Sequence, residues 1–413
     1  MRHLIKIAAL PAALLLLAAC GPDDPDTDAA DPDPPEDAEV EDEDADPIVL
    51  GLLPDLSGPL AVGGIPAARG YEAYFEHLNE TEDGVAGRPV EMISQDTGYD
   101  PQQSVQVYRD MREEIDLVGF VLGEVPTSAI ADLVDEDGTV AGVITKDAAV
   151  ARQDHLFASF SPNSADFANA VHWIVEEHGG GVDIGVLHTT APFSEGGVSG
   201  IEAAVDNTDA EIVAAETYAL GDTDFSEQIR SLAAADPDWI LAPVGPADTP
   251  AAMGAALAQG LEIPWLTNAG GFTSEVLEGD AGPYMTEHLT VACDKATWGE
   301  DVPGMSTLQE VVAERAPDME GEANLVSGWA MAMLTHALME SAAEEHGEIT
   351  GETVRASLDE LEEADMQGIV PDVSFADDPI PHRDIRMCEL DPDSVDGLAP
   401  ITDLFVYPTA EEL

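Results

Sequence analysis

Beyond Pro47 the chain alternates between short apolar runs and longer stretches of helical spacing. "PIVLGLLP" is an apolar run of strand length, and "AARGYEAYFEHLNE" after it carries apolar residues at helical intervals. "RPVEMISQD" predicts a strand, and "DPQQSVQVYRDMREE" a helix opened by Asp100 with Pro101 in its first turn. "IDLVGFVLG", "PTSAIADLVDEDG" and "AGVIT" continue as strand, helix, strand. The rhythm restarts after the connecting strand "HLFASFSPN", with "SADFANAVHWIVEEHGG", "VDIGVLHTT", "SEGGVSGIEAAVDN", "AEIVAAETYAL" and "DTDFSEQIRSLAAADP". "DWILAPVG", "TPAAMGAALAQGL" and "IPWLTNAGG" complete that set, and a long helix is predicted from Glu320 to His346, before a strand-rich end near Tyr407. Strands that are apolar on both faces belong to parallel sheets covered on both sides. The pattern therefore predicts an α/β protein with two doubly wound parallel-sheet lobes.

The first 47 residues break this pattern. "MRHLIKIAALPAALLLLAAC" has two basic residues, then an apolar stretch too short for a permanent span, which matches an export signal over 1–20. Its Leu-Ala-Ala-Cys ending resembles a bacterial lipobox, which implies that Cys20 becomes a lipidated N-terminus and that the membrane is met through that anchor only. Residues 21–47 are acid, proline and small residues with no apolar face to bury, which predicts a self-repelling disordered tether.

Charge narrows the partners. Asp and Glu number 84 against 14 Lys and Arg, for a formal net charge of -70 spread through the whole chain. Nucleic acid and anionic membrane surfaces would be repelled. A surface so one-sided repels itself unless salt shortens the Debye length to a few ångströms, so the acids are read as solvation in a saline exterior. Hydrophobic residues at 45% still permit a large core. Beyond residue 20 there are two lysines, Lys146 and Lys295, and two cysteines, Cys293 and Cys388. In an exported chain the cysteines either pair or remain two buried thiols.

In open parallel sheets, ligands bind beyond the carboxyl ends of the strands, where helices begin with unpaired N–H groups. Three such junctions fall in the first half: Ser57-Gly58, Thr127-Ser128 and Lys146-Asp147. No G-x-S-x-G elbow is present, His172 and Glu176 do not make the H-E-x-x-H zinc pattern, and there is no G-x-x-x-x-G-K-[ST] phosphate loop. Neither an enzymatic nucleophile, a metal nor a cofactor is expected.

The ordered set "IVLGLLPDLSGPLA", "GRPVEMISQDTGYDPQQSV", "VGFVLGEVPTSA", "DTDFSEQIRSLAAADPDWILAPVG" and "ALAQGLEIP" resembles the periplasmic substrate-binding proteins of branched-chain amino acid ABC transporters. The resemblance implies the type I periplasmic binding fold: lobes of 48–158 plus 291–370 and of 159–290 plus 371–413, joined by a three-strand hinge near Ser159, Val291 and Val370. It further implies a monomer that closes on a small solute outside the cytoplasm and delivers it to ABC permease and ATPase subunits. A tethered ligand sensor on the same fold is the alternative.

Carried over position by position, the family's ligand hydroxyl falls on Thr127. Its next loop falls on Thr145-Lys146-Asp147-Ala148-Ala149, where Ala149 replaces a hydroxyl. The covering aromatic falls on Phe193, a second aromatic is lost at Val244-Gly245, and one expected near Gly63 is missing. The acid that grips the ligand's ammonium is replaced by Asn268-Ala269, so Asp147 or Glu124 is left to supply that charge. Lys146 either meets an anionic group of the solute or pairs with Asp147, Glu124 or another acid. On the first reading Lys146→Ala weakens affinity at least ~10-fold with stability nearly unchanged.

Overall fold

The computed structural model describes residues 46–219, 221–375 and 378–413. Cys20, the export signal and nearly all of the acidic tether lie outside these residues. The chain opens with β1 (Ile48–Leu53), α1 (Ala61–Thr81), β2 (Val90–Ser94), α2 (Pro101–Met111), β3 (Leu117–Leu122), α3 (Glu124–Glu136), β4 (Ala141–Ile144), α4 (Ala148–Ala151) and β5 (Leu156–Ala158). These strands form one parallel sheet in the order β2-β1-β3-β4-β5. Every residue of β3, "LVGFVL", is buried, as a central strand between two helical layers requires. Asp100 caps α2 by accepting from the amides of Gln102 and Gln103, at 2.9 and 2.8 Å.

A second set follows: α5 (Asn163–His178), β6 (Val182–Thr189), α6 (Pro192–Val205), β7 (Ala210–Tyr218), α7 (Ser226–Ala234), β8 (Trp239–Leu241), α8 (Asp248–Gln259), β9 (Trp265–Asn268), α9 (Gly282–His288) and β10 (Leu289–Cys293). The chain then adds α10 (Met305–Arg315), α11 (Ala323–His346) and α12 (Gly351–Glu360), and ends with β11 (Arg386–Leu390), β12 (Leu398–Pro400) and α13 (Pro408–Glu411). The second sheet has the order β12-β11-β10-β9-β8-β6-β7. β6 to β10 run parallel, and β11 and β12 join as an antiparallel margin.

The cores show how the chain is shared. Leu308, Leu325, Val354 and Val370 pack with Ile48, Leu50 and Phe120 of the first sheet. Val291, Cys293, Cys388 and Leu390 pack with the second sheet's Ile240 and Trp265. Ile380 still belongs to a first-lobe cluster, whereas Ile385 belongs to a second-lobe one. The backbone therefore passes between lobes three times: after Ala158, after Cys293, and between Ile380 and Ile385. The third passage lies beyond the one expected near Val370, because Val370, Val373 and Ile380 are still buried in first-lobe cores.

The long helix α11 covers the first sheet beside α1, and the two approach closely enough to require glycine. A Cβ on Gly328 would stand 1.8 Å from the Ala67 carbonyl oxygen, and one on Gly70 would stand 2.0 Å from that of Leu325. Cys293 and Cys388 lie diagonally across the β10–β11 ladder, Cα atoms 6.3 Å apart, and are joined by a disulfide. Among the described residues no helix is long and apolar enough to cross a membrane.

Candidate functional site

Strand order puts three loops of the first lobe side by side, because β1, β3 and β4 are neighbours and all point the same way. After β1, the buried Asp55 carboxylate accepts from the amides of Gly58 (2.5 Å), Leu60 (2.8 Å) and Ser57 (3.3 Å). Ser57, exposed, donates its hydroxyl to Asp96 at 2.5 Å. Burial pushes Asp96 up a little, but donors from Ser57, Leu56 and Gly98 outweigh it and hold the carboxyl below its usual range. A Cβ on Gly58 would meet the Gly98 carbonyl oxygen at 2.5 Å, so this turn is tight.

After β3, Gly123 adopts φ +80°, with the Tyr99 ring where a Cβ would go. Glu124 is buried against Tyr99; burial raises its pKa, hydrogen bonds partly offset this, and Asp147 adds to the rise. Thr127 is buried and spends its hydroxyl on the Gly123 carbonyl at 2.7 Å, which is a helix back-bond, while Ser128 is exposed on the next position. After β4, Asp147 caps α4 through the Ala149 amide at 2.9 Å, and its own amide donates to Thr145 Oγ1 at 3.1 Å.

The second lobe presents a matching rim, since β6, β8 and β9 are neighbours in their sheet. Phe193, half-buried at the start of α6, offers its carbonyl to Asn163 Nδ2 at 2.8 Å. Gly245 donates its amide to Asp248 at 3.1 Å. Asn268 is turned inward, donating to Asn163 Oδ1 at 2.6 Å and Asp166 Oδ2 at 2.7 Å. Ala269 stands beside it at the rim, half-buried. The residues singled out in the sequence thus fall into two rims, one per lobe, at the carboxyl ends of the strands.

Lys146 joins the rims, though its partners are neither Asp147 nor Glu124. Its ammonium donates to the Ser161 carbonyl (2.9 Å), to Asp166 Oδ2 (3.0 Å) and to Asp294 Oδ2. Those three acceptors use all three N–H donors of an ammonium, which leaves none for a solute. Both carboxylates are fully buried, and the Lys146 side chain is 17% exposed. Burial alone would lower its pKa, but Asp166 and Asp294 outweigh that and raise it. Burial pushes Asp294 up, yet Lys146 and Lys295 dominate and hold it below the usual carboxylate range; for Asp166 burial prevails and the carboxyl is raised.

This knot sits where the chain changes lobes: Ser161 follows β5, Asp294 follows β10, and His382 lies on the last passage. His382 Nε2 donates to the Ser159 carbonyl at 3.3 Å, and Nδ1 is buried without a partner. Burial first, with Lys146 adding and Asp294 opposing, lowers its pKa to about 4. A histidine depressed in the folded state stabilises fully above the unfolded value and loses that contribution as pH falls through the folded one. Between about pH 6.5 and pH 4 His382 should therefore cost about 3 kcal/mol of stability. Denaturant titrations of the wild type and His382→Gln across that window measure the difference; parallel curves would show that His382 is not the group responsible.

Sequence reading found the loops but missed Asp166, Asp294, Lys295 and His382. The scarcity of lysine that drew attention to Lys146 applied equally to Lys295. Among the described residues no cluster of His, Cys, Asp and Glu is arranged to hold a metal ion.

Two parallel-sheet lobes with facing rims and three passages between them define the two-lobed solute-binding class of fold, type I. The chain belongs to the periplasmic binding protein family, whose model matches residues 47–395. It shares its fold with a fatty acid ABC transporter substrate-binding protein from Thermomonospora curvata, at 22% identity and a TM-score of 0.82, covering 89% of this chain and 94% of that one. A branched-chain amino acid ABC transporter protein from Thermus thermophilus with bound valine is similar at 16% identity and a TM-score of 0.80, covering 89% and 98%. An ABC transporter substrate-binding protein from Aeropyrum pernix follows at 21% and 0.77, covering 89% and 98%. None of the curated proteins matches the chain in sequence.

Proposed function

We propose that this chain is the extracytoplasmic solute-binding component of an ABC importer, which captures a small amino acid or related carboxylate between its lobes and delivers it unchanged to a permease. The observation that carries this reading is the pair of rims at the strand carboxyl ends, hinged at three passages and tied there by Lys146 to Asp166 and Asp294. The solved relatives include proteins named for fatty acid and for branched-chain amino acid transport, which supports the class of solute. Cys20 would carry the lipid anchor, and the acidic surface would suit a saline exterior.

A solute bound only by the folded form raises the melting temperature in proportion to the logarithm of its concentration. In high salt, a panel of amino acids, carboxylates, amides and polyamines should yield a shift equivalent to about 2.7 kcal/mol at about 100 times Kd for at least one carboxylate. A shift with polyamines alone would remove the carboxylate assignment. Chemical conversion of a bound compound by the purified chain would remove the transport reading itself.

A further inference from the structure

The second lysine beyond residue 20 has surroundings opposite to those of the first. Lys295 Nζ donates to Ser327 Oγ near the start of α11 at 2.9 Å, and it lies 5.5 Å from the centre of the Phe160 ring. Among the described residues no carboxylate oxygen lies within 4.0 Å of it. An ammonium has three donors, so two remain without a protein acceptor. In a chain with 84 acidic residues, a largely buried cation left without a carboxylate is the exception. Burial lowers its pKa, with Asp294 opposing and Lys146 adding to the fall.

Lys295 lines a cavity of about 20 Å³ where the two cores meet. Trp298 and Val326 reach it from the first core, and Phe272 and Leu398 from the second. Asp396 is the other charged residue on its wall, and its carboxylate is already met by the amides of Trp298 (2.6 Å) and Leu398 (3.2 Å) and by the Ser394 hydroxyl (2.6 Å). Gly321 and Ala323 at the head of α11 complete the wall, and the N-cap Glu322 makes no side-chain cap bond, so the first amides of this long helix add partial positive charge beside the ammonium.

Resting on the transport reading above, we propose that Lys295 and the head of α11 grip the anionic group of the solute, a small monocarboxylate whose apolar body lies against Trp298, Phe272 and Leu398. Lys146 cannot take this role, because its donors are spent on the hinge. An α-amino acid fits less well: its ammonium would need an acceptor, while Asn268 faces inward and Asp396 is already satisfied. The cavity as it stands has room for about one water, so the body of the solute is admitted by movement of the lobes about their three passages.

The test is calorimetric titration of the full chain in high salt with butanoate, hexanoate, octanoate, octanamide and leucine. At least one monocarboxylate should bind, with octanamide and leucine weaker by at least ~10-fold. Lys295→Gln should weaken that acid by roughly 10–100-fold, and Lys295→Arg should retain most of the affinity. Thermal unfolding of each variant reports whether it is folded. With ¹⁵N-labelled lysine, the acid should move the Lys295 side-chain signal and leave that of Lys146 in place. Equal affinity in a folded Lys295→Gln variant, or no binding by any monocarboxylate, overturns the assignment. Tight binding of leucine or an amide in that case would leave solute capture standing, whereas no melting shift with any compound of the wider panel brings down both.

Discussion

Lys146→Ala should lower the unfolding free energy by about 3–5 kcal/mol, the cost of leaving a buried ion cluster without its cation. This reverses the expectation from sequence, in which stability was nearly unchanged and affinity alone suffered. The reason is geometric. Asp166 and Asp294 are both fully buried, and Lys146 is the group that answers them across the hinge. Removing the cation leaves two carboxylates that must ionise in a dry site or take up protons. A Lys146→Met, Asp294→Asn double variant should regain much of the loss, because replacing both partners removes the uncompensated charge. Denaturant unfolding at fixed high salt measures both. A folded Lys146→Ala protein within about 1 kcal/mol of the wild type would show that the cluster carries little.

Loss of the Cys293–Cys388 bond should cost about 3–5 kcal/mol. The two cysteines are 95 residues apart, and the loop they close contains α10, α11 and α12, the part of the first lobe that arrives last in the chain. The bond therefore holds the second and third passages together at the margin of the second sheet. In the chain-entropy account, a long closed loop chiefly restricts the unfolded state. The double variant Cys293→Ala, Cys388→Ala should melt markedly lower, and a reductant should do the same to the wild type. Alkylation of both thiols in unreduced, denatured protein would show that no bond forms in solution.

Much of the fold was legible because its signals are local. Strands covered on both faces are written as apolar runs, so "IDLVGFVLG" announces β3 without knowledge of its neighbours. Asp100-Pro101 marks the start of α2, and the capping bonds lie within three residues of Asp100. The junction loops at Ser57, Thr127 and Asp147 followed from the same alternation. What those residues do was not legible. Thr127 looks available for a ligand in sequence, yet its hydroxyl is taken by Gly123, four residues back. Asn268 stands where a charge was missed, and it faces the interior.

By itself, the sequence determined the α/β alternation, the two lobes and the loops that rim them, since hydrophobic period and turn chemistry act over a few residues. It also determined that lysine would be rare and therefore placed for a reason. Only the tertiary structure decided which lysine serves which purpose. Lys146 meets Asp166 and Asp294 across separations of 20 and 148 residues, and Lys295 is left facing apolar walls from both lobes. Such pairings depend on where three distant passages of chain are brought together, and burial at that meeting point fixes which charges must be matched within the protein and which is left to a solute.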